Sequence, residues 1–186
     1  MAQFAAMVAN GGVRYRPQFL KMVEAPDGGV ARFNSPVVEE RLKLDPEIMQ
    51  FVRDAMADVV NGPGGTGSRS RLRGAIVAGK TGTAQVVGQA AAAASGKLPE
   101  HLDDHAWFIA FAPKDNAQIA IACVIENGGH GGSAAAPVVG QVLERYFQLY
   151  PPAGGEPVTL ASRPTPIAAP AATSAIHPAS TDDAGD

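Results

Sequence analysis

Apolar residues recur along this chain at two spacings, and the spacings divide it into helices and strands before any single residue is weighed. Over residues 1–9, Phe4, Met7 and Val8 share one helical stripe, and Asn10-Gly11-Gly12 supplies the left-handed stop that ends helices. A second helix is better marked. Asp45 stands at the cap, Pro46 at the first helical position and Glu47 at the positive end. Ile48, Phe51, Val52, Ala55, Met56 and Val59 then repeat at i, i+3, i+4 until Asn61-Gly62-Pro63 stops the pattern. A third stripe, Val139, Val142, Leu143, Tyr146, Phe147 and Tyr150, follows Ser133, which is expected to cap it. Strand patterns lie between. Residues 75–87 are rich in β-branched side chains with small residues at the centre and predict a long strand. Apolar runs at 107–112 and 119–125, separated by Pro113-Lys114-Asp115-Asn116, predict an antiparallel hairpin. Residues 13–44 alternate loosely around Phe19, Met22, Val23, Val30 and Phe33, with a turn at Pro26-Asp27-Gly28-Gly29, and predict irregular strands or an exposed excursion. Helices packed on a meandering sheet make an α+β fold, not an alternating parallel one.

Composition changes this picture at one end. Residues 151–186 hold 7 of the 15 prolines and no aromatic residue, which predicts a disordered Pro/Ala-rich tail after a folded body at 1–150. That tail carries Arg163 against Glu156, Asp182, Asp183 and Asp186, so the whole net charge of −3 resides there and the body is balanced. A near-neutral body with no Lys/Arg run argues against nucleic acid as a partner. The one cysteine, Cys123, cannot form an internal disulfide and reads as a small buried side chain. No apolar run is long enough to span a bilayer, and the stretch 90–96 reads as a mobile insertion. The first helix is already running at residue 1 without a capping residue. A segment cut from a longer protein would look so, and so would a natural start with a frayed first turn.

The chemistry concentrates in residues 74–83, where glycines, hydroxyls and a lysine crowd together, and two patterns overlap there. Residues 74–81 satisfy the phosphate-loop expression G-x-x-x-x-G-K-[ST], while Lys80-Thr81-Gly82 satisfies K-T-G, a signature of penicillin-recognising serine enzymes. A phosphate loop needs a hydrophobic strand before it, a turn-forming interior and a helix straight after the lysine. Here SRSRLR precedes, AIVA fills the interior and GTAQVV follows, so a P-loop nucleotide binder through 74–81 remains only a remote alternative. The K-T-G reading asks for an extended strand at the lip of a cleft. Thr81 and Thr83, as alternate residues, then project to one face and can reach one ligand carboxylate, with Gly82 unobstructive between them.

The match extends well beyond three letters. GKTGTAQV, HAWFIAFAPKD, IAIACVIENGGHGGSAAAPVV and, upstream, FAAMVANGGVRYRP resemble, in this order, the C-terminal part of the class B penicillin-binding proteins. Within them the ENGGHGGSAAAP run is most like the elongation-phase branch typified by penicillin-binding protein 2. The resemblance covers roughly residues 1–150. It implies the C-terminal part of a penicillin-binding, serine β-lactamase-like transpeptidase domain, and a peptidoglycan D,D-transpeptidase that cross-links stem peptides through a serine acyl-enzyme in cell-wall synthesis and cell shape. Lys80 and Thr83 would be catalytic, Lys80 organising hydroxyls and proton transfer and the Thr83 N–H stabilising an oxyanion. Thr81, Gly82 and Thr83 would bind the substrate's terminal carboxylate. Stem peptides and β-lactams would be ligands, elongation-complex membrane proteins the partners, and the periplasmic face of the inner membrane the location of the parent protein. No cofactor or metal is implied.

The departure is equally specific. The family requires S-x-x-K for the nucleophile and S-x-N for proton relay. None of Ser35, Ser68, Ser70, Ser95, Ser133, Ser162, Ser174 and Ser180 has Lys three residues on or Asn two on. The chain is therefore expected to be inactive alone, and a degenerate, non-catalytic ligand- or partner-binding remnant is the alternative. Other residues have two readings each. His130 between glycine pairs is either solvated or a contact near the cleft. His101, Asp103, Asp104 and His105 are a polar approach to a strand or, less readily, metal ligands. Trp107 is expected to be half-buried beside the K-T-G strand. Arg69, Arg71 and Arg73 read as a water-facing loop and edge strand, or as steering charges for an anionic ligand.

Overall fold

The computed structural model describes residues 1–86, 103–152 and 157–161. The elements in chain order are α1 (Ala2–Ala9), β1 (Val13–Tyr15), β2 (Met22–Glu24), β3 (Val30–Phe33), β4 (Val38–Arg41), α2 (Pro46–Asn61), a 3-10 turn (Ser68–Ser70), β5 (Leu72–Arg73), β6 (Ala78–Ala84), β7 (His105–Ala112), β8 (Ile119–Ile125), α3 (Ala135–Leu149) and β9 (Thr159–Leu160). The expected α+β architecture is present, with β6, β7 and β8 as an antiparallel sheet in that order. The expected insertion at 90–96, His101, and residues 153–156 and 162–186 of the expected tail lie outside the described residues.

Alternation along β7 builds two cores, one on each face of the sheet. Ala106, Phe108, Ala110 and Ala112 face α3 and pack with Val139, Leu143 and Phe147. Ile109 and Phe111 face the other way and pack with Ala5 and Val8 of α1, Met56 and Ala57 of α2, and Ala78. Phe108 is fully buried, and its ring fills space that two glycines leave open. A Cβ on Gly67 would come within 2.9 Å of it and one on Gly79 within 2.6 Å.

Each helix begins or ends for a local reason. The Asp45 carboxylate accepts hydrogen bonds from the Glu47 and Ile48 N–H groups, as expected for the α2 cap. At the other end, the Arg71 guanidinium donates to the carbonyls of Val60, Asn61 and Gly62, placing a cation on the negative helix terminus. The helix α1 stops where Gly11 takes φ 78° and the Gly12 N–H reaches back to the Met7 carbonyl at 2.7 Å, a Schellman closure. Residues 13–44 form two antiparallel pairs, β1 with β4 and β2 with β3, and the second pair is exposed throughout.

Several expectations need correction. In α1 the buried residues are Ala5 and Val8, while Phe4 is exposed, because small side chains let this short helix lie close to β7 and β8. In α2 the buried set is Met56, Ala57 and Val60, and Ile48 and Phe51 are 63% and 73% exposed. Ser133 does not cap α3. Its hydroxyl donates to the His130 carbonyl, and the Ala134 and Ala135 amides are already engaged by His130 and Gly131, so the helix grows out of a preceding turn. The strand expected from 75 begins at Ala78. The Arg69 to Arg73 stretch is a 3-10 turn followed by two strand residues. Within the expected tail, Val158 and Leu160 are buried and β9 pairs with β5, because three consecutive strand-compatible residues, Val158, Thr159 and Leu160, suffice to complete an otherwise unpaired strand.

The loop between β7 and β8 is tied to α2 by the Lys114 ammonium, 2.7 Å from the Asp54 carboxylate. That hydrogen bond holds the Asp54 carboxyl below its ordinary value and raises Lys114 above its own. A carboxyl whose folded value is depressed stabilises the fold above the unfolded value and loses that contribution as pH falls. Asp54→Asn is thus expected to lower the melting temperature at about pH 6, by a margin that shrinks as pH falls through the acid range. Phe108→Ala is expected to cost about 3–5 kcal/mol, read as a lower urea midpoint at unchanged slope.

Candidate active-site cleft

The strand β6 is the edge of the three-stranded sheet and pairs only with β7 among the described residues. Its register sets the direction of each side chain. Thr81 pairs with Phe108 and Thr83 with Ala106, so both hydroxyls project on the α3 face of the sheet, as alternation predicts. Lys80 pairs with Ile109 and Gly82 with Trp107, on the α1 face.

The wall facing Thr81 and Thr83 is made by two glycine-rich segments. Gly131 lies flat on the sheet: a Cβ there would meet the Gly82 oxygen at 2.6 Å and the Trp107 oxygen closer still. Gly132 lies as close to the Thr66 carbonyl. Only residues without side chains allow this approach, which is why His130 is bracketed by glycines. The 62–67 segment contributes Thr66, whose Oγ1 is 3.0 Å from Thr81 Oγ1. Together Thr66, Ser68, Arg69, Thr81, Gly82, Thr83, His130 and Ser133 line a cleft of about 530 Å³.

The expected site residues lie together along β6 and border two recesses. Thr81, Gly82 and Thr83 share the cleft, and His130 overhangs it as an exposed side chain. Lys80 lines a second recess of about 330 Å³ together with Thr81, Gly82 and Thr83, with Met1, Trp107 and Ile109 completing it, and its Nζ donates to the Thr81 carbonyl at 2.7 Å. Trp107 is half-buried beside Gly82, as expected. Arg69 reaches across the cleft wall and donates to the Ser133 carbonyl, Arg71 caps α2 and Arg73 is exposed on β5, so the three arginines have three different positions. His105 Nδ1 accepts from the Asn127 N–H and Asp104 Oδ1 from the Val86 N–H, which assigns both to loop anchoring. Cys123 is half-buried on β8, and desolvation raises its thiol pKa. The phosphate-loop pattern is spread over a turn at Gly74 and the strand β6, so Lys80 opens no helix and its neighbours form no phosphate cradle. Thr66 and Ser68 had no assigned role in the sequence, and Ser133 only that of a helix cap. Their only signal was position beside the two glycine clusters.

The penicillin binding protein transpeptidase domain model matches residues 1–144. The chain belongs to that family. The peptidoglycan D,D-transpeptidase MrdA of Acinetobacter baumannii is 38% identical over 137 residues, covering 73% of this chain and 20% of that protein. Its counterpart PbpA of Mycolicibacterium smegmatis is 33% identical over 144 residues, covering 74% and 26%. Among solved structures, a ceftriaxone acyl-enzyme complex of penicillin-binding protein A from M. tuberculosis superposes with a TM-score of 0.61 at 30% identity, covering 77% of this chain and 30% of that one. Pseudomonas aeruginosa PBP2 in complex with WCK 5153 does so with a TM-score of 0.58 at 34% identity, covering 78% and 28%. The chain thus spans about a quarter of the length of these curated relatives.

The transpeptidase-domain cleft depends on close backbone approach at Gly131. Gly131→Ala is expected to displace the 128–132 loop from β6 and to cost about 1–3 kcal/mol, with amide shifts at Gly82 and Trp107 reporting the displacement by NMR.

Proposed function

We propose that this chain carries the carboxylate-binding strand of a peptidoglycan D,D-transpeptidase, the activity named for its relatives in A. baumannii and M. smegmatis. The observation that supports this reading is the placement of Thr81 and Thr83 on one face of an edge strand, both bordering a cleft that also holds the Arg69 cation. Two hydroxyls and a guanidinium suit the C-terminal carboxylate of a D-Ala-D-Ala stem peptide, or the equivalent carboxylate of a β-lactam. The outer edge of β6 has no ladder partner among the described residues and can receive an extended peptide, although the Thr81 carbonyl already accepts from Lys80 Nζ. On this reading the Thr83 N–H is one donor to the oxyanion of the tetrahedral intermediate. Lys80 acts from across the strand edge, organising the hydroxyls of a serine nucleophile that this sequence does not contain.

The parent activity is serine acyl transfer: the serine oxygen attacks the penultimate D-Ala carbonyl, the terminal D-Ala leaves as the amine, and an amine of a neighbouring stem peptide takes the acyl group. With no S-x-x-K, this chain binds without reacting. Its parent would act at the periplasmic face of the inner membrane with elongation-complex partners, as the family resemblance implies. A non-catalytic carboxylate-binding remnant is the second reading, supported by the same missing motif.

Incubation of the chain with a fluorescent penicillin is expected to leave no covalent band after denaturing electrophoresis, and a labelled band would overturn its inactivity. Titration with a D-Ala-D-Ala-terminated pentapeptide is expected to shift the amide resonances of Thr81, Gly82 and Thr83. Replacing Thr81 or Thr83 by Val should weaken that binding about ten- to a hundredfold, the usual effect of losing a hydrogen bond to a charged group. Shifts that avoid β6 would reject the carboxylate site.

A further inference from the structure

The strand β9 lies beyond residue 144, where the family match ends, in a segment whose composition predicts disorder. Its contacts are specific. Leu160 pairs with Leu72 and Thr159 with Arg73, and the Ala161 N–H donates to the Arg71 carbonyl at 2.9 Å. The Leu160 N–H donates to the half-buried Glu144 carboxylate of α3, also at 2.9 Å. The Leu160 side chain is buried against Gly140 of α3. A Cβ at that glycine would meet Leu160 Cδ2 at 2.8 Å, the Ser70 Cα at 2.9 Å and the Arg69 carbonyl at 3.1 Å. One helical position therefore receives both the C-terminal strand and the 3-10 turn.

That turn is also the cleft wall. Ser68 and Arg69 line the cleft, Arg69 bridges to Ser133, and Thr66 just before them touches the Thr81 hydroxyl. Without β9, the strand β5 has no ladder partner among the described residues, and the Ser70 to Arg73 segment is left with its packing on α3 and the Arg71 bonds to the α2 terminus. We propose that residues 157–161 form a strap that positions the Ser68 and Arg69 wall of the cleft, with Glu144 and Leu160 as its positioning residues. Neither residue touches the ligand site. They act by fixing the backbone that carries Arg69, and through it the distance between the cation and the two threonine hydroxyls.

The binding arm of the test rests on the carboxylate-site reading; the exchange arm does not. In the full chain, Glu144→Ala is expected to speed amide hydrogen exchange at Ser70, Arg71 and Leu72 by about three- to tenfold while Phe108 and Ala110 stay unchanged. The same variant should weaken binding of the D-Ala-D-Ala-terminated pentapeptide by about three- to tenfold. Glu144→Gln, which keeps a carbonyl acceptor for the Leu160 N–H, should restore both, and Leu160→Ala should reproduce the loss. Faster exchange confined to Leu160 and Ala161 would overturn the proposal. So would an equal rise throughout β7, which marks general destabilisation, or a failure of Glu144→Gln to rescue. A wild-type chain that binds no pentapeptide overturns the carboxylate reading of the cleft, and the exchange pattern then decides the strap on its own.

Discussion

The ring of Phe108 holds the two halves of the site at a fixed separation. It sits between Gly67, which follows Thr66, and Gly79, which precedes Lys80, and it fills the volume that both glycines leave vacant. A side chain at either glycine would move the 62–67 segment away from β6, and the Thr66 to Thr81 hydroxyl contact would open. The same ring belongs to the core built with α3, so the cleft geometry is tied to helix packing on that face. Small residues at the site thus serve a packing need before any chemical one.

The layout divides labour between the two faces of one strand. On the α3 face the strand offers hydroxyls to a polar cleft; on the α1 face it offers Lys80 to an apolar recess beside Trp107 and Met1 that Thr81 and Thr83 also border. An edge strand can do both because its outer backbone is open and its side chains alternate. The glycine-rich 128–132 loop then closes the cleft from above by lying directly on the backbone of β6 and β7, a contact of main chain on main chain that leaves little room for adjustment.

Much of this was legible in the sequence, and the reasons differ by element. The helix α2 was readable because Asp45, Pro46 and Glu47 each serve a known need of a helix start. The β6 strand was readable because the residues before Lys80 favour strands and those after it cannot open a helix, which separated two overlapping motifs. Helix faces were less legible. In α2 the series Ile48, Phe51, Val52, Ala55 and the series Met56, Ala57, Val60 lie side by side on the cylinder, and only tertiary packing chooses between them. The strap was hidden because Val158-Thr159-Leu160 is short and set among prolines, and its partners, Leu72, Gly140 and Glu144, are distant in the chain. Thr66 was missed for the same reason: its role depends on where Phe108 places it.

The exposed apolar stripe of α2 has a colloidal consequence. Ile48 and Phe51 present a greasy ridge to water on a body whose acidic and basic residues cancel, so electrostatic repulsion between copies is weak where hydrophobic attraction is strongest. The charge that keeps molecules apart sits in residues 151–186, which also contain the strap. Shortening the chain at residue 150 would therefore remove the repulsive charge together with the strand that completes β5, leaving an adhesive body with a loosened wall.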